Sequence, residues 1–507
     1  MPTTLRDKAE PPLVLALDLG SSSFRATVYD RLGRELDGTE GRLPVRWRRT
    51  ADGGVEADAD AMVEAACRAV DAALAGAGQR AAEIRAVGIS TLWHSLLGVG
   101  PGGRPVTPVY SWADQRSAAD ARWLREHLDE ERVRRRTGCV FHPSYPAARL
   151  LWLRRTDPGA FRGARWWGSL GDYLTFRCFG QVACSISMAS GSGLLDQHTC
   201  QWDAEVVDAI GLDPAALPSL VDLDAPFMGL SRPYASRWPV LSQVPWVPAA
   251  GDGALSNLGT GCTSPSRAAV VLGTSAALRI LHPGPVPDVP YGLWNYRASR
   301  TRVLTGGALS NGGSVYRWVV EQVGVAERDG VDRALRARAA DGHGLVVLPF
   351  LAGERSPTWP LEARGAIVGL TLSTGALDLV QALVEAVALR LAWVWELLRS
   401  VFPGPVELVA SGGAIRHLPF WAQVIADALG EPVRVSDEAE GSSRGAALVA
   451  LEALGAAWGE EQAVPPGTVL APDPARHARY REARARQRRV EAALEPLARG
   501  SPGSRVP

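Results

Sequence analysis

Long apolar runs are missing from this 507-residue chain. The richest, LVLALDLG and GLVVLPFLAG, have the length of buried strands and cannot cross a bilayer as helices. The amino-terminal MPTTLRDKAEPP lacks the apolar core of an export signal, which predicts a cytoplasmic protein with no membrane partner. An excess of either charge is missing too: Lys+Arg and Asp+Glu both number 54. That balance gives neither nucleic acid nor anionic lipid a reason to bind. Nearly all the cations are arginine, spread along the whole chain rather than gathered in a patch. Six cysteines (Cys67, Cys139, Cys178, Cys184, Cys200, Cys262) show no CxxC spacing, so reduced, buried thiols are expected in place of zinc sites or disulfides.

What remains is a globular composition, 46% apolar and 21% charged, in a chain too long for one core. Strand-like and helix-like segments alternate throughout, which predicts α/β architecture. Residues 13–18 and 24–29 read as strands around Gly20 and three serines, with a third antiparallel strand from Glu35 onward. A helix follows at 58–74, with Met62, Ala66, Val70 and Ala73 on one face, then a strand at 84–91. The second half reads as strands at 268–273 and 277–281, a strand at 345–350 and a long helix at 377–398. Strand 406–410, helix 419–429, strand 433–435 and helix 441–454 complete it. LALDLGSSSFRA and VVLGTSAALRI share one pattern of strand, glycine, small hydroxyl residues and strand. Such an echo suggests a duplicated domain with a cleft between the copies, here 1–250 and 251–507. The Arg-rich tail from Pro474 is interspersed with Glu482, Glu491 and Glu495 and reads as a solvated surface helix.

Hairpin tips of this kind offer backbone N–H groups and small donors to a phosphate. Ser21, Ser22 and Ser23 form the first tip, and Gly273, Thr274 and Ser275 the second. Asp18 stands just before the first, where a carboxylate near phosphates calls for a divalent cation between them. A turn-capping Asp explains the same residue. In GDGALSNLG, Asp252 lies between glycines and could project into a cleft to accept a hydroxyl proton, or could simply cap a helix. Gly412 and Gly413, between a strand and a helix, could let a nucleotide lie on the backbone or could merely end the strand. Gly441 and Gly445 mark a second tight helix start that packing alone could explain. His94, in STLWHSLLG, and Trp112, Asp114 and Arg116, in SWADQRS, have the donors, acceptors and aromatic wall that a polyol needs, although His94 taken alone reads first as a satisfied structural histidine.

The order of these pieces is more specific than any one of them. From about residue 13 to residue 454 the chain resembles the FGGY carbohydrate kinases of the actin, hexokinase and Hsp70 superfamily. DLGSSSFRA is similar to the family's first phosphate motif, LGTSAALRI to the second, and GDGALSNLG to its catalytic-Asp motif. ASGGAIRHLPFWAQVIADALG is similar to its adenosine motif. PAARLLWL resembles a family signature with Arg149 where Lys is usual, and GAIVGLTLSTGALDLVQALVE a second signature that departs at Leu383. SWADQRS, GCVFHPSYPAARLLWLR, MASGSGLLD, LSNGGSVYRW and LAGERSPTWP look most like the gluconate kinases, whereas Thr91-Leu92-Trp93 before His94 is bulkier than that pattern.

The resemblance implies two ribonuclease-H-like domains around an ATP and sugar cleft. It implies Asp252 as general base and Asp18 as the Mg2+ or phosphate partner. Ser21, Ser22, Gly273 and Thr274 would hold phosphates, and Gly412 and Gly413 the nucleotide. His94, Asp114, Arg116 and His142 would hold the substrate, D-gluconate ahead of a pentulose or short polyol. ATP and a sugar or sugar acid are the implied partners, and a homodimer is compatible with the family. A non-catalytic ATP-responsive scaffold is the alternative of another class. The presence of both Asp18 and Asp252, with the Trp-Asp-Arg cluster, favours catalysis.

Overall fold

The computed structural model describes residues 3–324, 330–438, 440–456 and 465–499. Its framework is a pair of seven-stranded sheets. The first contains β1 (Thr3–Thr4), β2 (Leu13–Leu19), β3 (Ser23–Tyr29), β4 (Glu35–Leu36), β5 (Gly41–Pro44), β6 (Ile84–Thr91) and β7 (Ala250–Gly251). They run in the order β1-β4-β3-β2-β6-β7, with β5 on β3. β2 is buried at every position, as a near-continuous apolar run in a sheet covered on both faces should be. β2 and β3 form the expected hairpin, and β6 and then β7 extend it in parallel. The strand expected from Glu35 is divided: β4 meets β3 only at Tyr29, and the longer antiparallel pairing belongs to β5.

The second sheet contains β8 (Arg267–Leu272), β9 (Ala276–Pro283), β10 (Trp294–Arg297), β11 (Arg302–Leu309), β12 (Glu407–Ser411), β13 (Val433–Ser436) and β14 (Gly467–Leu470). Their order is β10-β11-β9-β8-β12-β13-β14. Hairpin β8–β9 occupies the place of β2–β3, and β12 and β13 extend it in parallel as β6 and β7 do. The two motifs that echo in sequence are therefore the same turn in two copies of one topology.

Helix α1 (Ala59–Ala77) starts at Asp58, whose side chain accepts from the Ala61 amide, and buries Met62, Ala66, Val70 and Ala73. α2 (Pro146–Thr156) carries Arg149 inward. α3 (Asp252–Gly259) and α6 (Gly441–Ala453) lie between the sheets, after α4 (Ala376–Val401) and α5 (Phe420–Leu429) in chain order for the latter. A distinct core is built there, with Val14 and Ala16 from the first sheet, Ala277 and Leu281 from the second, and Leu255 and Leu448 from the two helices. The helices touch at backbone distance: a Cβ on Gly445 would lie 1.9 Å from the Leu255 carbonyl oxygen. Gly441 and Gly445 are thus packing residues.

The tail helix α7 (Pro474–Arg499) is not the solvated helix that its charges suggest. Tyr480, Ala483 and Gln487 recur at spacings of three and four and are buried, with Tyr480 donating to Glu385 at 2.9 Å. All six cysteines are free and buried. Among the described residues no helix is long and apolar enough to cross a membrane.

Candidate active site

The two hairpin tips are the open ends of buried strands. Ser21 is part-exposed, Ser22 exposed, and Gly273, Thr274 and Ser275 part-exposed. The second tip is braced: the amides of Gly312 and Ser314 donate to the Thr274 carbonyl, and that of Gly313 to Gly273. Gly412 closes in from the next strand at φ +111°, and a Cβ there would lie 2.3 Å from the Leu272 carbonyl oxygen. Gly273, Thr274, Gly412 and Gly413 therefore come together in one half, with accessible backbone suited to a nucleotide. The buried Ser314 hydroxyl beside them has no partner, a donor that the sequence reading passed over.

Asp18 is buried near the end of β2. Its Oδ2 accepts from the Ser442 hydroxyl of α6 at 2.7 Å, while Oδ1 is buried without a partner. An orphaned carboxylate oxygen behind a phosphate-type turn fits a divalent cation or its water.

Asp252 opens α3, and its cap is Gly251 rather than Asp252 itself. A Cβ at Gly251 would lie 1.9 Å from the Trp93 ring, so glycine lets that indole pack under the start of the helix. Oδ1 of Asp252 accepts from the Gly253 amide at 2.8 Å. Desolvation raises the carboxyl above its usual range, Arg279 opposes that rise, and nearby Asp18 adds to it. The result is a carboxylate placed among opposing charges, with Arg279 of β9 and Asp18 of β2 as its charged neighbours.

Beyond Asp252 lies an aromatic wall. His94 adopts φ +64°, a strained conformation for a side chain other than glycine, and its Nδ1 meets the Gly191 carbonyl. Its ring lies edge-on to Tyr145 at 4.9 Å and to Tyr296 at 5.6 Å, and the two phenols share a 2.6 Å hydrogen bond. Burial, with lesser contributions from Arg355 and Arg149, pushes the His94 imidazole down to about 3, so it is neutral at working pH. His142 is likewise pushed to about 3, first by burial and then by Arg125 and Arg355, and its ring packs on Trp359.

Asp114 and Arg116 are tied to each other and to neighbouring loops. Asp114 is fully buried and accepts from the Val55 amide at 3.0 Å and from Arg116 Nη2 at 2.6 Å. The same guanidinium nitrogen donates to Glu56 at 2.7 Å, and the group stacks over Trp152 at 4.6 Å. This knot shapes the loop that presents Trp112. The cations lining the site are instead Arg279, on β9, and Arg355, whose guanidinium lies 4.6 Å from the Trp112 ring centroid. An arginine inside the apolar strand AALRIL is the signal that could have found the first. Arg149 was noted only as a departure from a signature. It is fully buried and donates to the carbonyls of His94 (2.9 Å), Ser111 (2.9 Å) and Pro143 (3.1 Å), tying three loops of the site together.

Asp252, half-buried, thus stands beside Asp18, Arg279 and Trp93, whose ring meets that of Tyr296 at 4.9 Å. Residues 13–259 match the N-terminal domain of the FGGY family of carbohydrate kinases, and residues 268–454 match its C-terminal domain. A gluconokinase from Bacillus licheniformis is 30% identical over 73% of this chain and 74% of its own. This chain belongs to the FGGY carbohydrate kinases. A glycerol kinase from Gloeobacter violaceus is 29% identical over 88% of this chain and 89% of its own. The crystal structure of ligand-bound xylulose kinase from Lactobacillus acidophilus superposes with a TM-score of 0.85 at 25% identity, covering 95% of this chain and 98% of that one. The two-domain, mixed α/β sugar-kinase fold is thereby established, with ATP as the family's phosphoryl donor.

Proposed function

We propose that this FGGY kinase transfers the γ-phosphoryl group of ATP to the terminal hydroxyl of D-gluconate. The observation that carries the reading is Asp252, a carboxylate held at a helix start beside Asp18, Arg279 and Trp93. In the proposed reaction the terminal hydroxyl oxygen attacks the γ-phosphorus, the bond to the β,γ-bridging oxygen breaks, and ADP leaves. Asp252 takes the hydroxyl proton as the new O–P bond forms. Arg279 favours the ionised form of that carboxylate, so the base can accept.

The hairpin tips at Ser21, Ser22, Gly273 and Thr274, part-exposed or exposed, are suited to the β- and γ-phosphates, and Gly412 and Gly413 to the nucleoside. Asp18 has the free oxygen to hold Mg2+ directly or through water; when bound with ATP, that ion supplies positive charge beside the phosphates. His94, neutral and fixed, is suited to hydrogen-bond a sugar hydroxyl. Gluconate is favoured over a pentulose or glycerol by the gluconokinase relative and by the cationic character of the pocket. Domains at 1–250 and 251–507 and cytoplasmic action belong to the same proposal. A screen of ADP release with gluconate, xylulose, ribulose, glycerol and erythritol tests it: gluconate should give the highest kcat/KM. Preference for a neutral substrate would remove the gluconate assignment.

A further inference from the structure

The pocket around Asp252 holds two arginines whose charges no carboxylate neutralises at contact distance. Among the described residues neither Arg279 nor Arg355 has a carboxylate oxygen within 4.0 Å of its guanidinium, although both are buried. Among the described residues the Arg279 side chain makes no hydrogen bond, and its Nε is buried without a partner. Its Nη1 rests over Gly253, where a Cβ would come within 2.2 Å. Glycine at 253 therefore lets the guanidinium enter the site beside Asp252. Arg355 donates once, from Nη2 to the Leu309 carbonyl at 2.9 Å, and its Nε is also unpartnered. It stacks over Trp112 and faces Tyr145 and Tyr296. Glu354, its neighbour in sequence, turns instead toward Arg390, at 3.7 Å.

Three other buried arginines also have an unpartnered Nε, but each is held through another guanidinium nitrogen. Arg390 meets Glu491 and Glu354, Arg149 meets three carbonyls, and Arg25 meets Glu440. A desolvated guanidinium with no carboxylate at contact distance is costly, and Arg279 and Arg355 are two such groups whose charged neighbours include Asp252. A neutral polyol would leave both without an anionic partner, whereas a sugar acid would supply one through charge-assisted hydrogen bonds.

We propose that Arg279 and Arg355 form an acid-recognition subsite that takes the carboxylate of an aldonic acid, with the terminal hydroxyl at Asp252. This deepens the reading above and rests on it. Arg116 is no candidate for the same task, because its donors are held by Asp114 and Glu56.

The test compares D-gluconate with D-glucitol, which has the same six carbons and no carboxylate. Binding of each is measured by calorimetry on the full chain without nucleotide, and turnover of each by ADP release. Arg355→Met and Arg279→Met are each expected to weaken gluconate binding about a hundredfold relative to glucitol. Arg355→Lys should recover part of the loss by keeping the charge, and melting curves of all variants establish that they fold. If a Met variant does not fold, the Lys variant is read instead, with a smaller but still acid-selective loss expected.

Equal losses for gluconate and glucitol, or a loss confined to ATP, would assign the arginines to the phosphoryl group and overturn the proposal. The two readings separate cleanly. Wild-type turnover that favours a neutral sugar defeats the gluconate assignment. The subsite is then judged by whether D-ribonate and L-threonate bind more tightly than ribitol and erythritol, and it falls if neither does. Wild-type preference for gluconate with no selective loss in the variants defeats the subsite alone.

Discussion

Asp252→Asn removes the proposed base while disturbing little else. The Asp252 side chain accepts from its own helix at the Gly253 amide, 2.8 Å away, and an asparagine oxygen can keep that bond. Asp252 is not the cap of α3, so the helix keeps its start. The turns proposed to hold the phosphates lie elsewhere, at the tips of β2–β3 and β8–β9. What disappears is a proton acceptor and the negative charge opposite Arg279. Loss of a general base lowers the rate by about 10²–10⁴-fold, or roughly 3–5 kcal/mol in the barrier. The assay is coupled ADP release at saturating ATP, with nucleotide binding and thermal melting measured on the same preparation. The expected result is a fall in kcat of that size with ATP affinity and melting temperature nearly unchanged. The wild-type profile should also rise with pH through a midpoint above that of an ordinary aspartate, because desolvation holds the carboxyl protonated to higher pH and only the ionised form accepts a proton. A variant that turns over within tenfold of wild type refutes the assignment of Asp252.

Further perturbations probe the surrounding parts. Asp18→Ala leaves Ser442 without its acceptor and should lower turnover at saturating Mg2+ and ATP more than it lowers nucleotide affinity; unchanged turnover makes Asp18 a turn residue. Arg149→Lys cannot span the carbonyls of His94, Ser111 and Pro143 from one nitrogen, so the sugar KM should rise roughly tenfold while the ATP KM stays put. Gly445→Ala places a methyl group against the Leu255 carbonyl and should lower stability by about 1–3 kcal/mol, read from urea melts.

The buried imidazoles of His94 and His142 bind protons only near pH 3, whereas the unfolded chain binds them near 6.5. The unfolded state therefore holds more protons across that window, and these two groups make stability fall as pH drops through it, by up to about 5 kcal/mol each. His142→Gln should flatten part of that fall, and an unchanged slope would remove His142 as its source.

The framework was legible because buried strands and glycine turns leave strong local signatures. LVLALDLG followed by SSSF could be little other than a hairpin, and its echo at residues 268–281 gave the second copy. α1 was legible through its period, with Met62, Ala66, Val70 and Ala73 all buried. α7 was misread because its buried face, Tyr480, Ala483 and Gln487, is narrow and outnumbered by charges. The site divides in the same way. Asp252 stands out through its flanking glycines and Asp18 through the Gly20 turn that follows it, whereas the pairing of Arg116 with Glu56 joins residues sixty apart, which no local pattern records. Arg279 and Arg355 stood in motifs already singled out, yet an arginine's lack of a partner is visible only once the chain is folded around it.

The most direct test of the central claim is a competition experiment. Equal concentrations of D-gluconate, xylulose, glycerol and erythritol are supplied with limiting ATP and Mg2+, and the phosphorylated products are identified by phosphorus and carbon NMR. The account predicts that gluconate is consumed first and that its phosphate is on the terminal, C6 oxygen. Consumption of a neutral substrate ahead of gluconate, or phosphate on any other gluconate oxygen, contradicts it.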